Sequence, residues 1–112
     1  MELMVENVGD VAVVAVPGPH LDASNAREFS RDIGPVLEAN RKVILDVSKV
    51  EFVDSSGLGA FLSCLRRLNA GGGDLKMCGL AKPVRVIFEL VRFHRIIGIY
   101  NKKEEAVRAF EK

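Results

Sequence analysis

Asp54-Ser55-Ser56-Gly57 puts two hydroxyls beside a carboxylate, the densest chemistry in the chain. Asp and Ser side chains accept hydrogen bonds from the free N–H groups of a helix's first turn. Gly57 and Gly59 have no side chains to shield those N–H groups. A polar, open helix N-terminus can hold an anion, and a hydroxyl on it can carry a phosphate. The same residues also suit a plain helix cap. Composition and spacing alone leave both readings open.

A strand must come before this hinge and a helix after it. Val43-Ile44-Leu45-Asp46-Val47 is a strand-like apolar run, and 48–53 continue it, extended or bent, to the hinge. Leu58, Phe61, Leu62 and Leu65 then recur at helical spacing. This helix should run to about Asn69 and stop at Gly71-Gly72-Gly73, because glycine takes the left-handed C-terminal conformation cheaply.

Enzymatic readings of the hinge find little support. The G-x-S-x-G elbow of a serine hydrolase is missing, and His20 and His94 are the sole candidate bases. Gly57-Leu58-Gly59 lacks the third glycine of a dinucleotide site, and no Gly-Lys-Ser/Thr follows for a P-loop. Asp22, Asp46 and Asp54 suit cap and strand-end positions better than a Mg²⁺ site. Cys64 and Cys78 have no CxxC or Cys/His spacing, so buried free thiols are expected rather than metal ligands. The sequence therefore predicts no catalytic, cofactor or metal site.

The charge balance is even: 16 Lys plus Arg against 15 Asp plus Glu, net +1 over 112 residues. Nucleic-acid and membrane binders show clustered positive charge, and the basic runs here are pairs such as Arg66-Arg67. No apolar stretch approaches the ~18 residues of a membrane span. No nucleic acid and no membrane are therefore expected as partners, and a cytoplasmic location is expected by default.

In chain order, residues 2–6 suggest a short strand and Val8-Gly9-Asp10 a turn. The continuous β-branched run 11–16 predicts a strand covered on both faces and hairpin-paired to the first. Pro17-Gly18-Pro19 makes a rigid loop. Asp22, Ser24 and Asn25 compete to cap the next helix, and Asn25 with Glu28 resembles a capping box. Ala26, Phe29, Ile33, Val36 and Leu37 form its apolar face, which Gly34-Pro35 should kink or split. A strand at 75–78 follows the hinge helix. Pro83 opens a helix with the stripe Val84, Ile87, Phe88, Val91. A strand at 96–100 precedes a last helix, where Asn101 with Glu104 suggests a second capping box and Ala106, Val107 and Phe110 face inward.

The order β-β-α-β-α-β-α-β-α predicts an α/β fold with a largely parallel sheet and right-handed crossovers. Ligands and partners favour the C-terminal ends of such strands. The 17–22 loop and the 54–57 hinge both follow strands, so they should share one edge.

The run VDSSGLGAFLSCLRRL, preceded by KVILDVSKVEF, resembles the STAS domain family, and within it the bacterial anti-sigma factor antagonists. The Pro-Gly-x-x-Leu-Asp loop at 17–22, GGGDLKMCGL at 71–80 and FELVRFHRIIGIYNKKEEAVRAF at 88–110 extend the likeness over nearly the whole chain. The resemblance implies a single STAS-like domain over 1–112, with a mixed, mostly parallel sheet of four to five strands and four helices. It implies a binding protein, not an enzyme. Its partner would be an anti-sigma factor serine kinase, bound through Asp22, Ser24, Asp54, Ser55, Gly57 and Leu58. That kinase would phosphorylate Ser56, and a phosphatase of the PP2C type would reverse the modification. Asp22 and Asp54 keep two readings, as caps and as interface groups. Ser55 is expected to cap the helix while Ser56 projects. The alternative is a stand-alone STAS regulator or sensor that binds a nucleotide or anion at the hinge in another pathway.

Overall fold

The computed structural model describes residues 1–111. Its elements are β1 (Met4–Val8), β2 (Val11–Ala15), β3 (His20–Leu21), α1 (Ala26–Ala39), β4 (Lys42–Asp46), β5 (Phe52–Val53), α2 (Ser55–Ala70), β6 (Asp74–Cys78), α3 (Lys82–Leu90), β7 (Gly98–Tyr100) and α4 (Lys103–Phe110), with a 3-10 turn at Phe93–Arg95. The fold is α/β, with a five-stranded mixed sheet in the order β1-β2-β4-β6-β7. β1 runs antiparallel to β2, and the other neighbours are parallel. Among the described residues no helix is long and apolar enough to cross a membrane.

The continuous apolar run of β2 is covered on both faces, as its composition predicts. Ala12 and Val14 belong to the main core, while Val11 and Val13 belong to a smaller one. The main core packs α1, α2 and α3 on one side of the sheet. Four aromatic rings run through it edge to face: Phe29–Phe61 at 5.8 Å, Phe61–Phe88 at 6.0 Å and Phe88–Phe93 at 5.1 Å between centroids. Each such pair adds about 0.5–1.5 kcal/mol beyond its burial. The chain of rings locks α2, the hinge helix, between α1 and α3. On the other face α4 alone covers Val11, Val13, Ile44 and Cys78, with Ala106 fully buried.

Several local expectations are corrected. α1 is one continuous helix through Gly34-Pro35. Pro35 removes one donor, but Phe29, Ile33 and Leu37 are buried along the same helix. Tertiary packing of that face outweighs a single lost bond. Asn25 stands at the α1 N-cap without a side-chain cap bond. Glu28 instead binds the N-terminal ammonium at 2.7 Å. The second capping box does not form at Asn101 and Glu104; one residue later Glu105 Oε1 accepts the Lys102 N–H at 3.0 Å, the carboxylate half of such a box, since a lysine side chain has no acceptor to return the bond. Val91 lies beyond the end of α3 and is exposed, not part of its inner stripe.

Two strands were not anticipated. β3 and β5 are two residues each and pair in parallel, His20 with Phe52 and Leu21 with Val53. They form a small separate sheet. Two-residue strands are too short to leave a periodic trace in sequence. This pairing is what brings the loop after β2 to the hinge.

Candidate functional site

The site is the start of α2 together with the loop leading into α1. Asp54 is in extended conformation, φ −105° and ψ −170°, and is the N-cap of α2. Its Oδ1 accepts the Gly57 N–H at 3.0 Å. Its Oδ2 accepts the Ala23 N–H at 3.1 Å. One carboxylate thus caps the helix and ties it to the neighbouring loop. The expectation that Ser55 caps α2 is corrected, because Asp54 already holds the cap. Ser55 and Ser56 are the first two residues of the helix, and both are exposed. Neither hydroxyl is hydrogen-bonded to another described side chain or backbone group.

Gly57 is buried, and a Cβ built on it would lie 2.2 Å from the Leu21 carbonyl oxygen. Its missing side chain lets β3 close onto the helix start, so it serves as a spacer and offers a partner little surface. Gly59 faces open space. Leu58 is half-buried against the main core.

The loop is internally braced. Asp22 Oδ1 accepts the Ser24 N–H at 2.9 Å and the Ser24 hydroxyl at 2.5 Å. Those two donors hold the Asp22 carboxyl below the usual carboxylate range, the hydroxyl contributing most. His20 Nε2 lies 3.3 Å from Ser24 Oγ and 3.9 Å from Asp22 Oδ1. Asp22 therefore bonds the serine and not the imidazole. That is not the order of a hydrolytic triad, in which the acid orients the base. Asn25 Oδ1 accepts the Asp22 N–H at 3.0 Å, while its Nδ2 donates to the His20 carbonyl at 3.0 Å.

The structure thus brings Asp22, Ser24, Asp54, Ser55 and Ser56 to one edge. Sequence reasoning missed three contributors: the Ala23 amide, the Leu21 carbonyl and the Asn25 side chain. The first two are backbone groups and leave no trace in residue identity. Asn25 was visible, but its side chain has several backbone groups within reach, and it braces the loop instead of capping α1. Cys64 and Cys78 are buried and unpaired, as expected. Burial pushes each thiol up to about 12. No cluster of three or more metal-ligating side chains forms among the described residues.

Comparison with known proteins gives this edge a context. The STAS domain family model matches residues 2–106. The chain is 26% identical over 112 residues to the candidate anti-sigma factor antagonist BtrV of Bordetella bronchiseptica, covering 99% of this chain and 96% of that one. A crystal structure of a candidate anti-sigma factor antagonist from Thermotoga maritima superposes with TM-score 0.91 at 26% identity, covering 98% of this chain and 95% of the other. The Bacillus cell fate determinant SpoIIAA in its phosphorylated form shares the fold, with TM-score 0.72 at 22% identity over 97% of this chain and 99% of that one. A family match over residues 2–106, nearly the full length, establishes that this chain belongs to the STAS domain family.

Proposed function

We propose that this chain, a single STAS domain over 1–112, is an anti-sigma factor antagonist. While the Ser56 hydroxyl is free, its hinge edge binds an anti-sigma factor serine kinase in the cytoplasm. Phosphorylation of Ser56 by that kinase breaks the complex, and a PP2C-type phosphatase restores it. Asp22, Ser24, Asp54, Ser55 and Leu58 form the contact region, and Gly57 sets its spacing. The protein is a regulatory binding protein, not an enzyme. The relatives named as antagonists support the general role. The observation that carries the switch is the exposed, unengaged Ser56 hydroxyl on the first turn of α2, beside a braced acidic loop.

Phosphoserine adds about −1.5 to −2 charge at pH 7. At an exposed helix N-terminus this charge is favourable by roughly 0.3–1 kcal/mol, so the domain stays folded. Toward a docked partner the same charge adds to Asp22 and Asp54. A loss of ~3 kcal/mol there weakens binding more than a hundredfold. The switch therefore acts at the surface and requires no refolding.

The test is incubation with an anti-sigma factor serine kinase and ATP, followed by mapping of the modified residue. Phosphate is expected on Ser56, tight kinase binding by Ser56→Ala, and weak binding by Ser56→Asp with a melting temperature no lower than that of the wild type. If the kinase is active elsewhere but leaves Ser56 unmodified, the proposal fails.

A further inference from the structure

The α3 helix has an inner and an outer row. Val84 and Phe88 are buried in the main core. Lys82, Val86 and Leu90, spaced four apart, share the outer row. Leu90 is 80% exposed and Val86 is 54% exposed. Val91 and Ile96 add exposed apolar side chains just beyond the helix. Scattered exposed apolar residues are ordinary, but four within eleven positions of one short segment form a patch that needs an occupant.

Charge indicates what kind of occupant. Residues 82–97 hold four Lys/Arg against one Glu, net +3, while the rest of the chain holds twelve against fourteen, net −2. An apolar centre with a charged rim has the anatomy of a protein interface. The patch also adjoins the candidate site: α3 packs beside β5, whose Phe52 is 52% exposed and stands two residues before Asp54. The molecule therefore presents two carboxylates, Asp22 and Asp54, at the hinge and a basic, apolar face along α3.

We infer that the outer face of α3 and the turn after it form a second contact surface for the kinase partner, fitting an apolar ridge rimmed by carboxylates. This rests on the function proposed above. A protein surface can set carboxylates against α3 while it meets Asp22 and Asp54 with uncharged polar groups. A flat anionic bilayer cannot, because pressing Phe52 and α3 onto it would also press Glu51 and Asp54 against the headgroups. The basic rim steers the encounter, while Val86 and Leu90 supply apolar burial and slow dissociation.

The test uses an anti-sigma factor serine kinase that phosphorylates Ser56 of the wild-type chain. The double variant Val86→Gln/Leu90→Gln should bind it at least tenfold more weakly, with faster dissociation. Arg95→Glu should lower the association rate and reduce its salt dependence, and Val86→Leu should bind like wild type. Matched circular dichroism and melting curves would show that the variants fold. Affinities within twofold of wild type for both the double variant and Arg95→Glu would overturn the inference and leave the Ser56 reading intact. Two other results would overturn it by giving the patch a different occupant. One is flotation of the wild-type chain, but not the double variant, with phosphatidylglycerol vesicles. The other is a wild-type dimer in sedimentation that the double variant abolishes.

Discussion

The Asp54 carboxylate and the Ala23 backbone N–H meet at 3.1 Å, joining the hinge to a loop 31 residues earlier in the chain. Asp54→Ala removes this bond and the α2 cap together. Loss of a cap costs about 0.5–2 kcal/mol. Urea denaturation should show a loss in that range. Asp54→Asn keeps an acceptor for the Gly57 N–H and should lose less. Equal stability of Asp54→Ala and wild type would mean that the bridge contributes nothing.

Gly57 and Gly59 lie two residues apart and should respond in opposite directions. A Cβ at 57 would meet the Leu21 carbonyl oxygen at 2.2 Å and Val53 Cγ1 at 2.9 Å. Since the nearer obstacle is backbone, Gly57→Ala should destabilise by about 1–3 kcal/mol, as overpacking does. At 59 nothing lies within 4 Å. Gly59→Ala in an exposed helical position should stabilise by roughly 0.5–1 kcal/mol. Thermal melts of the two variants check the contrast.

The bonds from Ser24 to Asp22 make a pH prediction. The Asp22 carboxyl is held below its ordinary value in the folded state. A depressed folded value means the contribution is fully present above the unfolded value of about 3.9 and is lost as pH falls below it. The loop should therefore be unaffected near neutrality and loosen in acid below about pH 4. Carboxyl chemical shifts followed by NMR should place Asp22 low, and Ser24→Ala should move it upward. No movement in that variant would refute the stated cause.

The strongly periodic parts of the fold were legible in the sequence. The buried run 11–16, the strand 43–47 and the Leu58–Phe61–Leu65 stripe each carry one repeating signal. The shared edge was legible as well, because loops that follow parallel strands emerge on the same side. What escaped was decided by backbone. The β3–β5 pairing, the Ala23 amide and the Leu21 carbonyl carry no side-chain signature. The Gly34-Pro35 kink failed for a different reason: local propensity was read without the weight of Phe29, Ile33 and Leu37 in the core. Capping went astray wherever several polar residues competed, as at Asn25, Ser55 and Asn101.

Both thiols should resist alkylation. With burial pushing each up to about 12, almost no thiolate exists at pH 8. Iodoacetamide should modify Cys64 and Cys78 slowly in buffer and readily in denaturant. Rapid modification of the native chain would contradict the burial of both.

The lone position of α4 on its side of the sheet makes the two thiols unequal. Cys64 sits inside the three-helix layer and becomes reachable when that layer opens. Cys78 is shielded by eight residues of helix that grip the strands through Ala106, Val107 and Phe110. A labelling experiment in which Cys78 reacts first would therefore register detachment of the C-terminal segment from an otherwise intact body. The molecule carries its own built-in reporter for that partial opening.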